Sequence, residues 1–177
     1  YVDFKDAKKI YELIMDKGKD FNLSNCGMHA MDIMRMESGF LHWGHDISPE
    51  ENQYQAGLSF TISTKKDADF IGKHALEIIK KEKIKSRFAM FTLKESEPGK
   101  PLLLHDEPIY IGDEIIGRST SGNYSFNYKK NLVFGYIDND FSSDELQAKN
   151  LFIEVEKQKY EIELLLNPLK KVNFKTI

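Results

Sequence analysis

The hydrophobic pattern of the chain changes at about residue 86, and this change limits the folds that the chain can adopt. Beyond that point, short alternating or apolar runs are separated by turn sequences such as PGKP, GD, SGN, DND and NP. The runs are RFAMFTL, EPIYI, EIIGRSTS, NLVFGYI, NLFIEVE and KYEIELLL. About six strands at this spacing predict a small antiparallel barrel or sandwich.

The part of the chain before this change shows mainly helical spacing. Apolar side chains recur every three or four positions over residues 4–17, and Gly18 predicts the end of that helix. A second helix is predicted within residues 27–39, with Arg35 on the same face as apolar methionines. A third helix is predicted over residues 69–82, and its charged tail EIIKKEKIK closes the first half of the chain.

Only one strand, LSFTI at residues 58–62, is predicted among these helices. Helices need another layer against which to bury their apolar side, so this part is not expected to be complete by itself. The chain also begins with Tyr1 and not with methionine, so we expect either the C-terminal part of a longer protein or a chain whose start was processed or left out. The predicted fold class is α+β, with an α+β segment at residues 1–82 and a β-barrel at 86–177.

Charge and composition exclude several classes of partner. The 25 basic and 28 acidic residues give a net charge of −3, so we predict no nucleic-acid partner. No apolar run approaches the roughly 18 to 20 residues of a membrane span, so we predict no membrane partner. The single cysteine, Cys26, forbids an internal disulfide and is expected to be a small buried residue. These features favour a cytoplasmic location.

Arginine is rare among the basic residues, and only Arg35, Arg87 and Arg118 are present. Because lysine supplies a solvated charge elsewhere, each arginine is a candidate for a position that needs a planar guanidinium. Arg118 is interpreted as a solvated charge on a strand. An ion pair with Asp32, three residues earlier on the helix, is the structural alternative to a binding role for Arg35.

Several segments occur in the order and spacing of a known family. RMESG, WGHDI, AGL and DFIGKHAL lie between residues 26 and 80, and TSGNYS follows at 120–125. Together they resemble the folate-dependent aminomethyltransferases, which include the T-protein of the glycine cleavage system and the C-terminal halves of dimethylglycine and sarcosine dehydrogenases. The sequence MRMESGFLHWGHDI is more similar to the dehydrogenase branch.

The resemblance implies that residues 1–82 are the C-terminal part of a folate-binding α/β domain, followed by the family's small antiparallel β-barrel. It implies transfer of a one-carbon unit from a glycine-, sarcosine- or dimethylglycine-type amine to tetrahydrofolate. The implied partners are tetrahydrofolate and the missing N-terminal half, an amine-oxidising flavoprotein or a second copy of the chain. The family's catalytic aspartate lies upstream of the residues present, so no catalytic residue is assigned and the chain is not expected to react unaided.

The resemblance makes Arg35, Phe60 and Arg87 the candidate cofactor-binding residues. Phe60 falls where the T-protein has a tryptophan lining the folate cleft, and its alternative is a core phenylalanine of a strand. Arg87 falls on an arginine beside the folate tail, and its alternative is an exposed charge. Met31 stands where the T-protein has a folate-contacting arginine, which favours the dehydrogenase branch. The alternative function is a non-catalytic module or partner-binding subunit without folate chemistry.

Two further motifs receive a structural interpretation. His42, His45 and Asp46 form an H-x-x-H-D sequence, but without a second cluster no metal site is predicted. Residues 120–122 are expected to form a tight loop between strands, and Gly39 is expected to permit a turn after the second helix.

Overall fold

The computed structural model describes residues 1–170, which form two compact units. The first unit is Tyr1–Met31 and the second begins at Asp32. Within the described residues, no helix is long and apolar enough to cross a bilayer. The domain boundary at 83–86 stays a prediction, and residues 171–177 of the predicted barrel domain lie outside the described part.

The first unit is helical and small. It contains α1 (Ala7–Lys17) between two short 3-10 helices at Phe4–Asp6 and Lys19–Phe21. The amide of Gly18 donates to the carbonyl of Ile14 at 2.8 Å, so the predicted helix and its glycine stop are confirmed. This unit buries no apolar side chain, and the prediction of a buried Cys26 is therefore wrong because that thiol is exposed.

The second unit is dominated by six antiparallel strands. They are β1 (Ser86–Leu93), β2 (Pro108–Ile111), β3 (Glu114–Ser125), β4 (Lys130–Asp138), β5 (Leu151–Val155) and β6 (Gln158–Leu165). The strands form a closed barrel in the order β1-β4-β3-β2-β5-β6. All six predicted strands are confirmed, and of the two architectures left open the chain adopts the barrel.

Alternating side chains divide the strands into an inner and an outer face. On β4, Val133 and Ile137 belong to the cluster inside the barrel, whereas Leu132 and Phe134 belong to a second cluster outside it. The fully buried inner side chains include Phe91, Leu93, Ile109, Ile116, Val133, Ile137, Leu146 and Ile153. Each such residue contributes roughly 1.5–3 kcal/mol on burial, so packing inside the barrel stabilises the second unit.

Helix α2 (Met28–Glu37) brings Met36 into the outer cluster, against Leu132 and Phe134. The helix ends in a Schellman motif, in which the amide of Phe40 donates to the carbonyl of Arg35 at 2.9 Å. Gly39 supplies the left-handed residue of that motif, with a φ of 74°. A side chain at this position would also overlap Pro168, so the predicted turn at Gly39 is confirmed.

Two predictions for the segment between α2 and the barrel need correction. The predicted strand at 58–62 is wrong, because Ser59–Thr61 form a 3-10 helix. The hydroxyl of Thr61 donates to the carbonyl of Leu58 at 2.7 Å, and such local bonds compete with strand pairing. The predicted helix at 69–82 is shorter, since α3 covers Lys73–Ile79 and the preceding Gly72 has a left-handed φ of 89°.

Helix α4 (Ser143–Gln147) carries Leu146 into the inner cluster and begins with a capping box. The Ser142 hydroxyl oxygen accepts from the amide of Glu145 at 3.2 Å. In return, the Glu145 carboxylate accepts from the amide of Ser142 at 2.7 Å. The bonds from Ser142 lower the pKa of Glu145, so this contribution to stability is present at neutral pH and is lost as the pH falls through the lowered pKa.

We expect Ser142→Ala to lower the free energy of unfolding by about 1 kcal/mol, because it removes the helix cap. Urea denaturation followed by circular dichroism measures the change. Ser143→Ala, one position later and outside the capping box, is the matched control and should have little effect. Equal losses from both substitutions would contradict the role assigned to the cap.

Candidate functional site

The guanidinium of Arg35 lies at the centre of a polar network in the second unit. The side chain is 14% exposed and makes an ion pair with Asp32 at 2.8 Å. It donates to the Ser121 hydroxyl at 2.7 Å and the Phe40 carbonyl at 3.3 Å, and it also forms an ion pair with Asp46. The helical ion pair with Asp32 is therefore present, but it is only one part of a larger set of contacts.

Asp46 is the most buried member of this network, with a side chain that has no exposed surface. Besides Arg35, its carboxylate accepts hydrogen bonds from the His42 amide at 2.9 Å, the Thr120 hydroxyl at 2.6 Å and the Ser121 hydroxyl at 2.8 Å. A buried carboxylate without such partners is strongly unfavourable. The donors thus fix Asp46 between the loop after α2 and strand β3.

A second buried carboxylate, that of Glu37, joins the same helix to the end of β3. It accepts from the Ser125 hydroxyl at 2.6 Å and from the Asn127 side-chain amide at 3.1 Å. The residue is 2% exposed. Arg35 and Glu37 therefore hold α2 against the barrel at two separate points of β3.

These contacts bring together motifs that are far apart in the sequence. RMESG supplies Arg35 and Glu37, WGHDI supplies Asp46, and TSGNYS supplies the hydroxyl donors. The prediction of a tight loop at residues 120–122 is wrong, because they lie within β3 beside a register shift between Ser119 and Ser121. The sequence interpretation missed Asp46 as a partner of Arg35, although both belong to family motifs and a buried arginine requires a counter-charge.

The two histidines of the H-x-x-H-D sequence stack on each other and not around a metal. The rings of His42 and His45 have centroids 4.6 Å apart. The carboxylate of Asp46 is already occupied by the donors described above. In the part of the chain that the structure describes, no group of three His, Cys, Asp or Glu side chains could hold a metal ion.

Phe60 lies on the 3-10 helix Ser59–Thr61 and is 82% exposed. Its alternative interpretation as a core phenylalanine of a strand is therefore wrong. An exposed ring is available to pack against a flat ligand, because aromatic rings attract each other in offset-stacked or edge-to-face arrangements. The structure shows an accessible ring here, and its proposed role in folate binding stays a prediction.

Arg87 lies on β1 opposite Ile137, and its Nη2 donates to the carbonyl of Phe141 at 3.0 Å. Arg87 also lines a cavity of about 150 Å³. Arg87 is bonded to Phe141, whereas Arg35 is bonded to groups of α2, the following loop and β3, so the contacts in the described part of the chain do not join these two arginines or Phe60 into one site. Their joint role in binding a cofactor therefore stays a prediction.

Arg118 forms an ion pair with Asp106 on the surface, where both side chains are more than half exposed. Hydrogen bonds from His105 and Arg118 lower the pKa of Asp106. The interpretation of Arg118 as a surface charge on a strand agrees with this position.

Tyr136 of β4 presents a polar atom that the fold does not satisfy. Its hydroxyl is buried and has no hydrogen-bond partner among the described residues. Burial, and then the charges of Glu51 and Asp46, raise the pKa of the phenol. The ring itself packs edge-on against Phe88, with centroids 5.8 Å apart.

Comparison with known families agrees with the architecture and the motifs. The GCVT N-terminal domain matches residues 1–66, and the glycine cleavage T-protein C-terminal barrel domain matches residues 87–171. The chain belongs to the glycine cleavage T-protein family. The family barrel therefore corresponds to β1–β6, as the sequence motifs predicted.

Two relatives are similar to this chain in sequence, and one solved structure shares its fold. Human mitochondrial dimethylglycine dehydrogenase is 31% identical over 165 residues, which are 93% of this chain and 18% of that protein. The mitochondrial pyruvate dehydrogenase phosphatase regulatory subunit of Mus musculus is 28% identical over 166 residues, 93% of this chain and 19% of that protein. The crystal structure of glycine cleavage system aminomethyltransferase T from Bartonella henselae superimposes with a TM-score of 0.75 at 20% identity, covering 90% of this chain and 43% of that one. The chain thus spans about a fifth of these two relatives.

We expect Asp46→Asn to lower the free energy of unfolding by about 2–4 kcal/mol, because it leaves the buried Arg35 with only the partly exposed Asp32 as a counter-charge. Chemical denaturation measures this loss. Asp106→Asn, which breaks the exposed pair with Arg118, is the control and should cost less than about 1 kcal/mol. Similar costs for both substitutions would show that the buried network does not anchor the helix.

We expect Tyr136→Phe to leave the stability unchanged or to raise it by about 1 kcal/mol, because it removes a buried hydroxyl without a partner. Thermal unfolding of the two proteins provides the comparison. Tyr110→Phe is the control, since the Tyr110 hydroxyl donates to Glu154 at 3.0 Å and its loss should slightly destabilise the barrel. A clear loss of stability in Tyr136→Phe would mean that the hydroxyl is satisfied in solution.

Proposed function

We propose that this chain forms the C-terminal part of a tetrahydrofolate-dependent aminomethyltransferase. The reaction is transfer of a one-carbon unit from a glycine-, sarcosine- or dimethylglycine-type amine to tetrahydrofolate. The observation that carries the proposal is the presence of both family domains, at residues 1–66 and 87–171, in the order that the motifs indicate.

Within this proposal, Phe60 packs against the pterin or the linker that follows it. The 82% exposure of its ring supports this role, because an aromatic contact contributes on the order of 1 kcal/mol. Arg87 is proposed to bind a carboxylate of the folate tail. A guanidinium has five N–H donors, so the bond to the Phe141 carbonyl leaves others for a ligand.

The proposed contact between Arg35 and folate has the least support of the three. Its guanidinium already reaches Asp32, Phe40, Asp46 and Ser121. In this proposal Arg35 acts mainly by holding α2 and β3 in place.

One-carbon transfer needs a carboxylate beside the cationic carbon or the attacking nitrogen. No residue of this chain is proposed for that role, which the resemblance gives to an upstream aspartate. The proposed partners are therefore an N-terminal half, an amine-oxidising flavoprotein or a second copy of the chain. A cytoplasmic location is also a proposal, which rests on the single cysteine, as expected in a reducing compartment.

A second function, that of a non-catalytic module, is favoured by the contacts of Arg35 and by Met31. The guanidinium of Arg35 is already bonded to groups of the protein itself, and by the resemblance Met31 stands where the T-protein has a folate-contacting arginine. A matching relative is moreover named a regulatory subunit. In this alternative the fold is kept and binds a protein partner without folate chemistry.

The two functions can be distinguished by isothermal titration calorimetry with tetrahydrofolate. The titration is carried out with the 177-residue chain and with the full-length product of its gene. The enzyme proposal expects binding in at least the full-length protein. Phe60→Ala should weaken that binding by about 5- to 10-fold, which corresponds to loss of one aromatic contact.

Phe126→Ala is the matched control, because Phe126 is also highly exposed, at 75%, but lies outside the family motifs. It should leave the affinity for tetrahydrofolate unchanged. Absence of binding in both forms of the protein would refute the enzyme proposal and support the non-catalytic module.

A further inference from the structure

The turn between β3 and β4 presents aromatic side chains on the surface of the second unit. It consists of residues 126–129, and we call it the hairpin tip. Phe126 is 75% exposed and packs edge-on against Tyr124, with ring centroids 5.0 Å apart, and Tyr128 is 40% exposed. Aromatic side chains are enriched in protein interfaces, because each covers a large area with few rotatable bonds. The hairpin tip therefore has the side chains that commonly anchor a partner.

The hairpin tip is held in place by the buried carboxylate of Glu37. This carboxylate accepts from the Ser125 hydroxyl at 2.6 Å and from the side-chain amide of Asn127 at 3.1 Å. The Ser125 oxygen accepts in turn from the amide of Tyr128 at 3.1 Å. A turn that is already ordered loses little conformational entropy when it binds a partner, which favours affinity.

The sequence around the hairpin tip is basic, although the chain as a whole is acidic. Residues 115–137 contain Arg118, Lys129 and Lys130 but no Asp or Glu. This segment therefore has a net charge of +3 in a chain whose net charge is −3. At physiological ionic strength the Debye length is about 8 Å, so a ligand at the hairpin tip meets mainly the charge of the adjacent lysines.

The two lysines are not neutralised by other side chains of the described residues. Lys129 is exposed and Lys130 is half-buried, and neither forms an ion pair in this part of the chain. Two carboxylates are bonded to the hairpin, but Asp32 is paired with Arg35 and Glu37 is only 2% exposed. The positive charge of the lysines is therefore available to an acidic partner.

The size of this charge distinguishes between classes of acidic partner. Proteins that bind DNA commonly neutralise roughly 6–10 phosphates. Surfaces that bind anionic lipids commonly have clusters of about 4–8 basic residues. The two lysines of this hairpin are too few for either class, but they match a protein segment with one or two carboxylates beside an apolar side chain.

We propose that the hairpin tip is a docking site for an acidic segment of a partner protein. Carboxylates of that segment pair with Lys129 and Lys130, and an apolar side chain of the segment covers Phe126 and Tyr128. The proposal is independent of folate binding, because none of the candidate cofactor-binding residues takes part.

NMR titration of the ¹⁵N-labelled 177-residue chain with an acidic peptide tests this site. The probe is a synthetic hexapeptide with two central leucines and two glutamates on each side of them. Saturable shifts are expected for the amides of Phe126, Tyr128 and Lys129. A second peptide, in which glutamine replaces each glutamate, keeps the leucines and should cause no saturable shift.

Phe126→Ala and Lys129→Glu should each weaken binding of the acidic peptide about fivefold, because each removes one contact of the hairpin tip. Lys157→Glu is the matched control and should leave the affinity unchanged. Lys157 is also exposed and also has a left-handed φ, 66° compared with 53° for Lys129, but it lies in the turn between β5 and β6.

The absence of saturable shifts with the acidic peptide would overturn the proposal, as would equal binding of the glutamine peptide. Unchanged affinity in both Phe126→Ala and Lys129→Glu would also overturn it. The same titration is repeated with oligothymidylate and with phosphatidylserine vesicles. Tighter binding of either at these amides would overturn the proposal, because the partner would then be a nucleic acid or a membrane.

Discussion

The buried carboxylate of Asp46 is the interaction on which the arrangement of α2 and the barrel depends. Removing such a charge from water costs several kcal/mol unless donors and a counter-charge replace the water. Arg35 supplies the counter-charge and also lies over the Phe134 ring, 5.4 Å from its centroid. The polar network and the outer apolar cluster are therefore continuous, and a displacement of either would expose the other.

The register shift in β3 explains how two consecutive residues reach one carboxylate. In a regular strand, Thr120 and Ser121 would point to opposite faces of the barrel. The irregularity between Ser119 and Ser121 allows both hydroxyls to donate to Asp46, at 2.6 and 2.8 Å. Bulges commonly redirect side chains in this way. The TSG sequence is thus important for the direction of its side chains and not for forming a loop.

Local patterns allowed the strands, α1 and the end of α2 to be predicted, because alternation and glycine stops act over a few residues. The rarity of arginine correctly pointed to Arg35 as a position that uses a guanidinium, since a lysine could not bond all of its acceptors. The pairing of Arg35 with Asp46 and Ser121 was not predictable in the same way, because these contacts join residues 11 and 86 positions apart. The exposure of Phe60 was likewise missed, because a 3-10 turn and a short strand have the same apolar composition.

The closed barrel limits the ways in which other molecules can bind to the second unit. The pairings of β1 with β6 and of β2 with β5 leave none of the six strands with an open edge. Strand addition, the usual way for one sheet to extend into another, therefore has no starting point on this barrel. Any partner must recognise its side chains, so specificity rests on the residues of the outer face and of the loops.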